Sequence, residues 1–279
     1  MRELSFERVS AGYGAAPVVH DVDLHVDAGE VVGLVGPNGS GKTTLVRVAS
    51  RALKPTTGRV IVAGVDPYEL PARRAAQRVA VVPQDVVPVF SFTALEVALM
   101  GRAPYRSGWS LGSGDDWPLV RHAMEMTGVS DLSDRPIEEL SGGERRRVVL
   151  AQALAQDAPV VLLDEPTTHL DLRHVLELHT VVRNMANNDD KAVLAIFHDL
   201  TLAASVCDRM YVLAEGRTVA EGTPEEVVTP SLLADVYGVD AEILSNPANG
   251  RPMVALGATP AGAVAGATTP RRLPTFRPK

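Results

Sequence analysis

Four runs, residues 30–35, 79–82, 160–163 and 192–197, are apolar almost without interruption. Runs this short and this uniform predict strands buried on both faces, as in a parallel sheet covered by helices. A different pattern precedes them. Between Val18 and Asp27 the apolar Val22, Leu24 and Val26 alternate with Asp21, Asp23, His25 and Asp27, the period of a strand with one wet face. Residues 59–63 predict another short strand, and 210–214 with 217–221, joined by Glu215-Gly216, a hairpin. Helix punctuation fills the gaps. Residues 44–50 and 72–78 read as helices, and the capping boxes Thr93/Glu96 and Ser141/Glu144 open helices that end at Gly101 and near Gln156. Asp116, ahead of Trp117-Pro118, opens one closed by Gly128, and Thr223-Pro224 and Thr229-Pro230 start two short terminal helices. The fold class is therefore α/β. Residues 85–140, poor in strand signal, form a candidate helical lobe with loop over 102–115.

The chemistry lies where strands give way to helices. Gly36-Pro37-Asn38-Gly39-Ser40-Gly41-Lys42-Thr43 follows one apolar run and leads into the helix at Thr44. In this GxxxxGK[ST] spacing the glycines turn backbone N–H groups inward around phosphates, Lys42 faces the β and γ groups, and Thr43 offers a hydroxyl to Mg²⁺. The helix N-terminus adds the positive end of its dipole. Asp164 and Glu165 end the run 160–163 at the carboxyl edge, where open parallel sheets bind ligands. There Asp164 can hold Mg²⁺ and Glu165 can take a proton from water. His198 ends the run 192–197 on the same edge, as a ligand-side group or as a satisfied structural residue.

Several residues stay open on their own spacing. Tyr13, in Gly12-Tyr13-Gly14, is either a packed loop tyrosine or a ring for a base to stack on. Gln84, at a strand end, carries no signal alone. Gly142 and Gly143 let an anion approach bare N–H groups, or belong to an ordinary helix start. Asp171 is fully accounted for as the N-cap of the next helix. Tyr105 and Trp109, flanked by Arg102 and Arg106, make either a partner-facing surface or a partly buried cluster.

Composition narrows the partners. With 279 residues, a net charge of −7 and a pI near 5.5, the chain lacks the broad basic face that nucleic acid requires. Cys207 is the only cysteine, so an internal disulfide is excluded and a buried thiol in a reducing compartment is expected. Residues 1–7 lack the apolar core of a secretory signal, which points to the cytoplasm. The uncharged run 252–270, broken by Pro260 and rich in Gly, Ala and Thr, reads as tail rather than membrane span, and 271–279 as a flexible basic end.

Order and spacing over residues 4–222 together resemble the ATP-binding cassette (ABC) family. Residues 36–43 are similar to its Walker A, 160–165 to its Walker B with the catalytic glutamate, and 140–144 to its signature motif. Tyr13, Gln84, Asp171 and His198 fall at the adenine-stacking aromatic, Q-loop, D-loop and switch histidine. The resemblance implies a P-loop NTPase cassette with a doubly wound, RecA-like core, an antiparallel β subdomain and a helical subdomain over about 85–157. Residues 223–256 then form a helical and hairpin extension and 257–279 a flexible tail. ATP and Mg²⁺ are implied, with Thr43, Gln84 and Asp164 serving the metal and Glu165, His198 and Lys42 catalysis. A homodimer is implied as well, in which Ser141, Gly142, Gly143 and Glu144 of one chain, with Asp171, face the ATP held by the other.

A single cassette with no fused membrane segment resembles importers assembled from separate chains. Within them, residues 91–105, 164–174 and 236–239 resemble the metal-chelate group, whose substrates are haem, ferric siderophores and cobalamin. That implies a polytopic permease docking between Gln84 and the helix at Thr93, a binding protein engaged indirectly, and a peripheral place on the cytoplasmic face of the membrane. Glu144 in place of the commoner Gln, and Thr168-His169 before the D-loop aspartate, depart from the pattern at the level of subgroup. The alternative is a soluble ABC ATPase of cofactor assembly.

Overall fold

In the computed structural model, which describes residues 1–14, 16–84, 91–106, 114–168 and 171–260, the apolar runs are strands whose successive side chains enter two different cores. In order the elements are β1 (Arg2–Ala11), β2 (Val19–Asp27), β3 (Val31–Val35), α1 (Lys42–Ala49), β4 (Thr57–Val62), α2 (Ala72–Ala76), β5 (Val79–Val82) and α3 (Ala94–Met100). There follow α4 (Asp116–Met126), α5 (Gly142–Ala155), β6 (Val160–Leu163), α6 (Leu172–Asn187), β7 (Ala192–Ile196) and α7 (Leu200–Val206). The chain continues with β8 (Arg209–Ala214), β9 (Arg217–Gly222), α8 (Pro224–Val227), α9 (Pro230–Leu232), a π-turn at Leu233–Tyr237, β10 (Val239–Ser245) and β11 (Pro252–Pro260).

The main sheet has the order β5-β6-β7-β3-β8-β9, parallel except for the β8–β9 hairpin. Val31 and Val35 face the core shared with α5, α6 and α7, whereas Val32 and Leu34 face the core shared with the antiparallel sheet β2-β1-β4. Both faces are dry, which is why alternation is missing from the sequence. After β3 the chain crosses to β5 at the far edge, and β8 lies on the other side of β3, so the phosphate-type loop leaves the sheet where strand order switches. A third core, built from Val97, Leu99, Val120, Met124, Ile137, Leu140 and Val148, holds α3, α4 and the start of α5 together as the helical lobe.

Two departures from the sequence pattern have local causes. Strand β1 is not predicted by periodicity. Leu4 and Phe6 are buried, but Arg8 takes φ 47° and the register shifts between Phe6 and Val9, so Val9 and Ala11 continue the buried face out of step. Residues 252–260, expected as tail, form β11 instead. Val254 pairs with Ile243 and both pack on the core, so the extension runs past its expected limit at 256. Trp109, His169 and the expected tail 261–279 lie outside the described residues.

The antiparallel sheet is fastened to the main one by a partly buried polar network around Tyr211. Tyr211 Oη bonds Glu221 (2.9 Å) and Arg209 (2.8 Å) and accepts from the His25 N–H (3.3 Å), while Arg209 pairs with Glu30 at 2.8 Å. In the helical lobe Arg102 is turned inward rather than toward a partner. It pairs with Asp116 at 2.9 Å and donates to the Ala155 carbonyl at 2.9 Å, closing the C-terminal end of α5, with its guanidinium 4.0 Å from the Tyr105 ring centre. Arg102 and Asp116 side chains are 9% and 5% exposed. Removing one partner of such a pair strands a buried charge, so Asp116→Ala is expected to lower unfolding free energy by ~3–5 kcal/mol in urea titration. A loss under ~1 kcal/mol, the scale of a surface pair, would contradict this.

Candidate active site

The loop between β3 and α1 is shaped by glycines that admit no side chain. Gly36 has φ 147° and a Cβ there would stand 2.0 Å from the Leu213 carbonyl oxygen; Gly41 has φ 103° and its Cβ would meet Val19 at 2.4 Å. Lys42 Nζ reaches back along the loop to donate to the carbonyls of Gly36 and Pro37, both at 2.9 Å. Asn38 and Gly39 form the exposed tip, and Ser40, 4% exposed, has its hydroxyl buried with no hydrogen-bond partner among the described residues. Burial holds the Lys42 ammonium below its usual pKa, against the opposing pull of Glu165 and Asp164. A cradle with an unsatisfied hydroxyl and a desolvated cation fits a bound anion.

Opposite it, the end of β6 presents the two carboxylates. Thr43 Oγ1 and Asp164 Oδ1 are 3.4 Å apart, and burial, then the neighbouring Glu165 charge, push the Asp164 carboxyl up. A divalent cation relieves that state, so the donor set fits Mg²⁺. Glu165 holds φ 52°, a left-handed conformation uncommon outside glycine and concentrated at functional sites. Its side chain is 10% exposed and gathers three partners: His198 Nε2 at Oε1, and Gln84 Nε2 (2.7 Å) and Thr168 Oγ1 (3.3 Å) at Oε2. Asp199 caps α7 through the N–H groups of Thr201 and Leu202, which fixes the turn carrying His198. The structure thus brings Lys42, Thr43, Asp164, Glu165, Gln84 and His198 to one edge. Gln84 meets Glu165 here rather than the Thr43–Asp164 pair.

Tyr13 lies against α1, its hydroxyl 3.0 Å from Arg47 and 3.4 Å from Thr44, with the ring 56% exposed. An exposed ring held at a phosphate loop suits base stacking. Ser141 and Glu144 form their reciprocal capping box elsewhere, on the helical lobe, and among the described residues no hydrogen bond joins them to the Lys42 cluster. Gly142 faces open space, but a Cβ on Gly143 would come within 3.2 Å of the His174 ring. The ring would have to give by a few tenths of an ångström, so packing within the chain is a second reason for glycine at 143 beside close anion approach. Asp171 is seen in its N-cap role, accepting from the His174 N–H at 2.9 Å and lying 2.8 Å from His174 Nδ1.

Sequence reasoning misses two residues. Arg146 on α5 donates to the carbonyl of Gln84 at 2.9 Å and to those of Asp164 (3.4 Å) and Glu165, tying the helical lobe to both strand ends. These three acceptors are backbone atoms, which leave no trace in side-chain pattern. Arg47 lies 5.2 Å from the Tyr13 ring centre, and its i+4 spacing from Thr43 on one helix face is the signal that points to it.

Residues 19–168 match the ABC transporter family. The chain belongs to the ABC transporter family. It is 44% identical over 233 residues to the cobalamin import ATP-binding protein BtuD of Halobacterium salinarum (84% of this chain, 58% of that one). It is 36% identical over 253 residues to the iron(3+)-hydroxamate import ATP-binding protein FhuC of Bacillus subtilis (91% and 94%). With the hemin import ATP-binding protein HmuV of Thermobifida fusca it shares 41% over 256 residues (90% and 87%). The cassette therefore spans little more than half of the cobalamin relative and nearly all of the hydroxamate one.

Among solved structures, an inward-facing metal-chelate type ABC transporter superposes at TM-score 0.80 with 21% identity, covering 92% of this chain and 97% of that one, which shows the fold. A dimeric ATP-binding cassette bound to ADP and Pi superposes at 0.69 with 26% identity (79% and 98%). The ABC cassette fold and a nucleotide-binding domain are thus shared with known members. No described helix is long and apolar enough to cross a membrane.

Proposed function

We propose that this chain is the ATP-hydrolysing subunit of an importer for a metal chelate (haem, a ferric siderophore or cobalamin), acting on a separate membrane permease. The observation that carries the hydrolytic part is the clamp on Glu165, a left-handed carboxylate one residue beyond Asp164 and fixed by His198 and Gln84. A carboxylate has roughly four lone-pair sites, so Glu165 held this way can still accept the proton of an attacking water. His198 and Gln84 set its orientation. Lys42 supplies fixed positive charge beside the transferred phosphoryl group, and the Gly36–Thr43 amides supply oriented dipoles. Mg²⁺, when bound, would neutralise charge on the β and γ oxygens, and Thr43 and Asp164, with Gln84 nearby, are the residues to hold it.

The cargo class rests on relatives named for cobalamin, iron-hydroxamate and hemin import. In this reading two copies sandwich ATP, as the dimeric cassette suggests, with Ser141 to Glu144 and Asp171 of one chain completing the site of the other. The permease docks in the groove near Gln84 and α3, on the cytoplasmic face of the membrane, and a substrate-binding protein engages only the permease. Residues 85–90 of that groove lie outside the described residues. Purification of the chain from its native membrane, with cross-linking at the half-exposed Tyr105, is expected to capture a polytopic membrane subunit. Recovery with soluble partners alone would instead support a cofactor-assembly ATPase.

A further inference from the structure

Helices α5 and α6 both begin at residues that the proposed dimer turns toward the other chain's ATP. Ser141 caps α5 and Asp171 caps α6, each accepting the N–H of the residue three positions on. Ser141, Gly142 and Asp171 are exposed. Behind these ends the two helices are joined by side chains. Arg147 Nη1 of α5 pairs with Glu177 of α6 at 2.7 Å. One turn nearer both N-termini, the facing residues are Gly143 and His174, and there the joint is bare backbone against an imidazole.

A Cβ on Gly143 would stand 3.2 Å from His174 Nδ1, 3.3 Å from Cε1 and 3.4 Å from Cγ. Three ring atoms at nearly one distance mean that Gly143 lies against the face of the ring. That leaves the in-plane Nδ1 for Asp171, whose Oδ1 is 2.8 Å away. Asp171 also accepts the His174 backbone N–H at 2.9 Å, and this bond is the main cause holding its carboxyl below the usual carboxylate pKa. An ionised carboxylate only accepts, so Nδ1 carries the proton between them. The ring borders a cleft of about 530 Å³ among α4, α5 and α6 and is 24% exposed, so its orientation is set by the Asp171 bond more than by a packed core. One side chain thus touches both helix starts. The backbone N–H already completes the cap of α6, and the imidazole bond is additional to it.

We propose that His174 is a positioning residue, its imidazole locking the Asp171 carboxylate to the Ser141–Gly143 turn so that both meet the ATP of the other chain as one preformed face. The inference deepens the cross-chain reading of the site and rests on it. Contacts ordered before association cost less when the dimer forms, so His174 acts on dimer closure and turnover. It does not act on the chain's own phosphate loop, which Lys42 braces through Gly36 and Pro37.

The experiment compares three substitutions in the full chain, each made in the parent and in Glu165→Gln. His174→Asn keeps a donor nitrogen at the place of Nδ1 and loses the ring, His174→Phe keeps a ring and loses the donor, and His174→Ala loses both. Light scattering over a concentration series in saturating MgATP gives the dimer Kd of the Glu165→Gln chains, and steady-state assays give kcat and KM of the others. His174→Phe and His174→Ala are expected to weaken the dimer about tenfold and to lower kcat by a similar factor, with monomer affinity for MgADP within about twofold of parental. His174→Asn should restore both to within about threefold. Parental dimerisation and kcat in His174→Phe overturn the inference, since a ring without a donor then suffices and the role is packing. His174→Asn impaired as strongly as His174→Ala overturns it too, as does a loss of MgADP affinity that matches the loss of dimer. A Glu165→Gln chain that binds MgATP yet stays monomeric with His174 intact overturns the cross-chain reading itself, a separate result.

Discussion

Glu165→Gln is expected to lower steady-state MgATP turnover by ~10²–10⁴-fold, the range typical of losing a general base. The substitution preserves shape and removes basicity. The Lys42 bonds to Gly36 and Pro37 and the Thr43–Asp164 contact do not involve the changed group, so nucleotide binding should persist. His198→Ala is expected to slow turnover too, because His198 Nε2 restrains one of the two Glu165 oxygens. A Glu165→Gln protein with turnover within about threefold of the parent would remove Glu165 from the role of base. His198 would then be the residue to test.

Lys42→Ala removes the one buried cation of the phosphate cradle, and with it the two bonds that brace the loop. Charge-assisted hydrogen bonds contribute enough that MgATP affinity should fall roughly tenfold to a hundredfold, and hydrolysis with it. Unchanged MgATP affinity would contradict the cradle. Ser141→Arg acts at a distance. It fills the space in front of Gly142, leaves the chain's own phosphate loop intact, and is expected to abolish hydrolysis while binding of nucleotide by the monomer persists. Mixing the two variants tests whether sites are completed across chains. With free exchange half the dimers are mixed and each carries one intact composite site, so activity returns to at most about a quarter of parental. A mixture no more active than its components, or one with full activity, would contradict the cross-chain arrangement.

Much of this site is legible in the sequence because its parts obey local rules. The spacing of Gly36, Gly41, Lys42 and Thr43 is imposed by backbone angles and by the reach of one lysine, and the structure places Lys42 against the loop accordingly. Asp164 and Glu165 are found because two acids at the end of a dry strand demand a reason. The capping boxes at Thr93 and Ser141 are likewise local, and both are present with their reciprocal bonds. What escapes is long-range or carried by the backbone. Arg146 acts on three carbonyls, those of Gln84, Asp164 and Glu165. Strand β1 is hidden by the bulge at Arg8, which breaks the period of two on which strand recognition depends. Gly143 carries a constraint that the sequence does not announce, since a Cβ there would crowd the His174 ring at 3.2 Å whether or not an anion approaches.

In the proposed cycle ATP joins two copies of this chain and Glu165 breaks the joint by promoting hydrolysis. Light scattering on purified Glu165→Gln tests it most directly. With saturating MgATP the mass should double from the 29.6 kDa of one chain and stay doubled, whereas MgADP should leave it single. A mass that remains that of one chain in MgATP, with nucleotide demonstrably bound, would contradict the account.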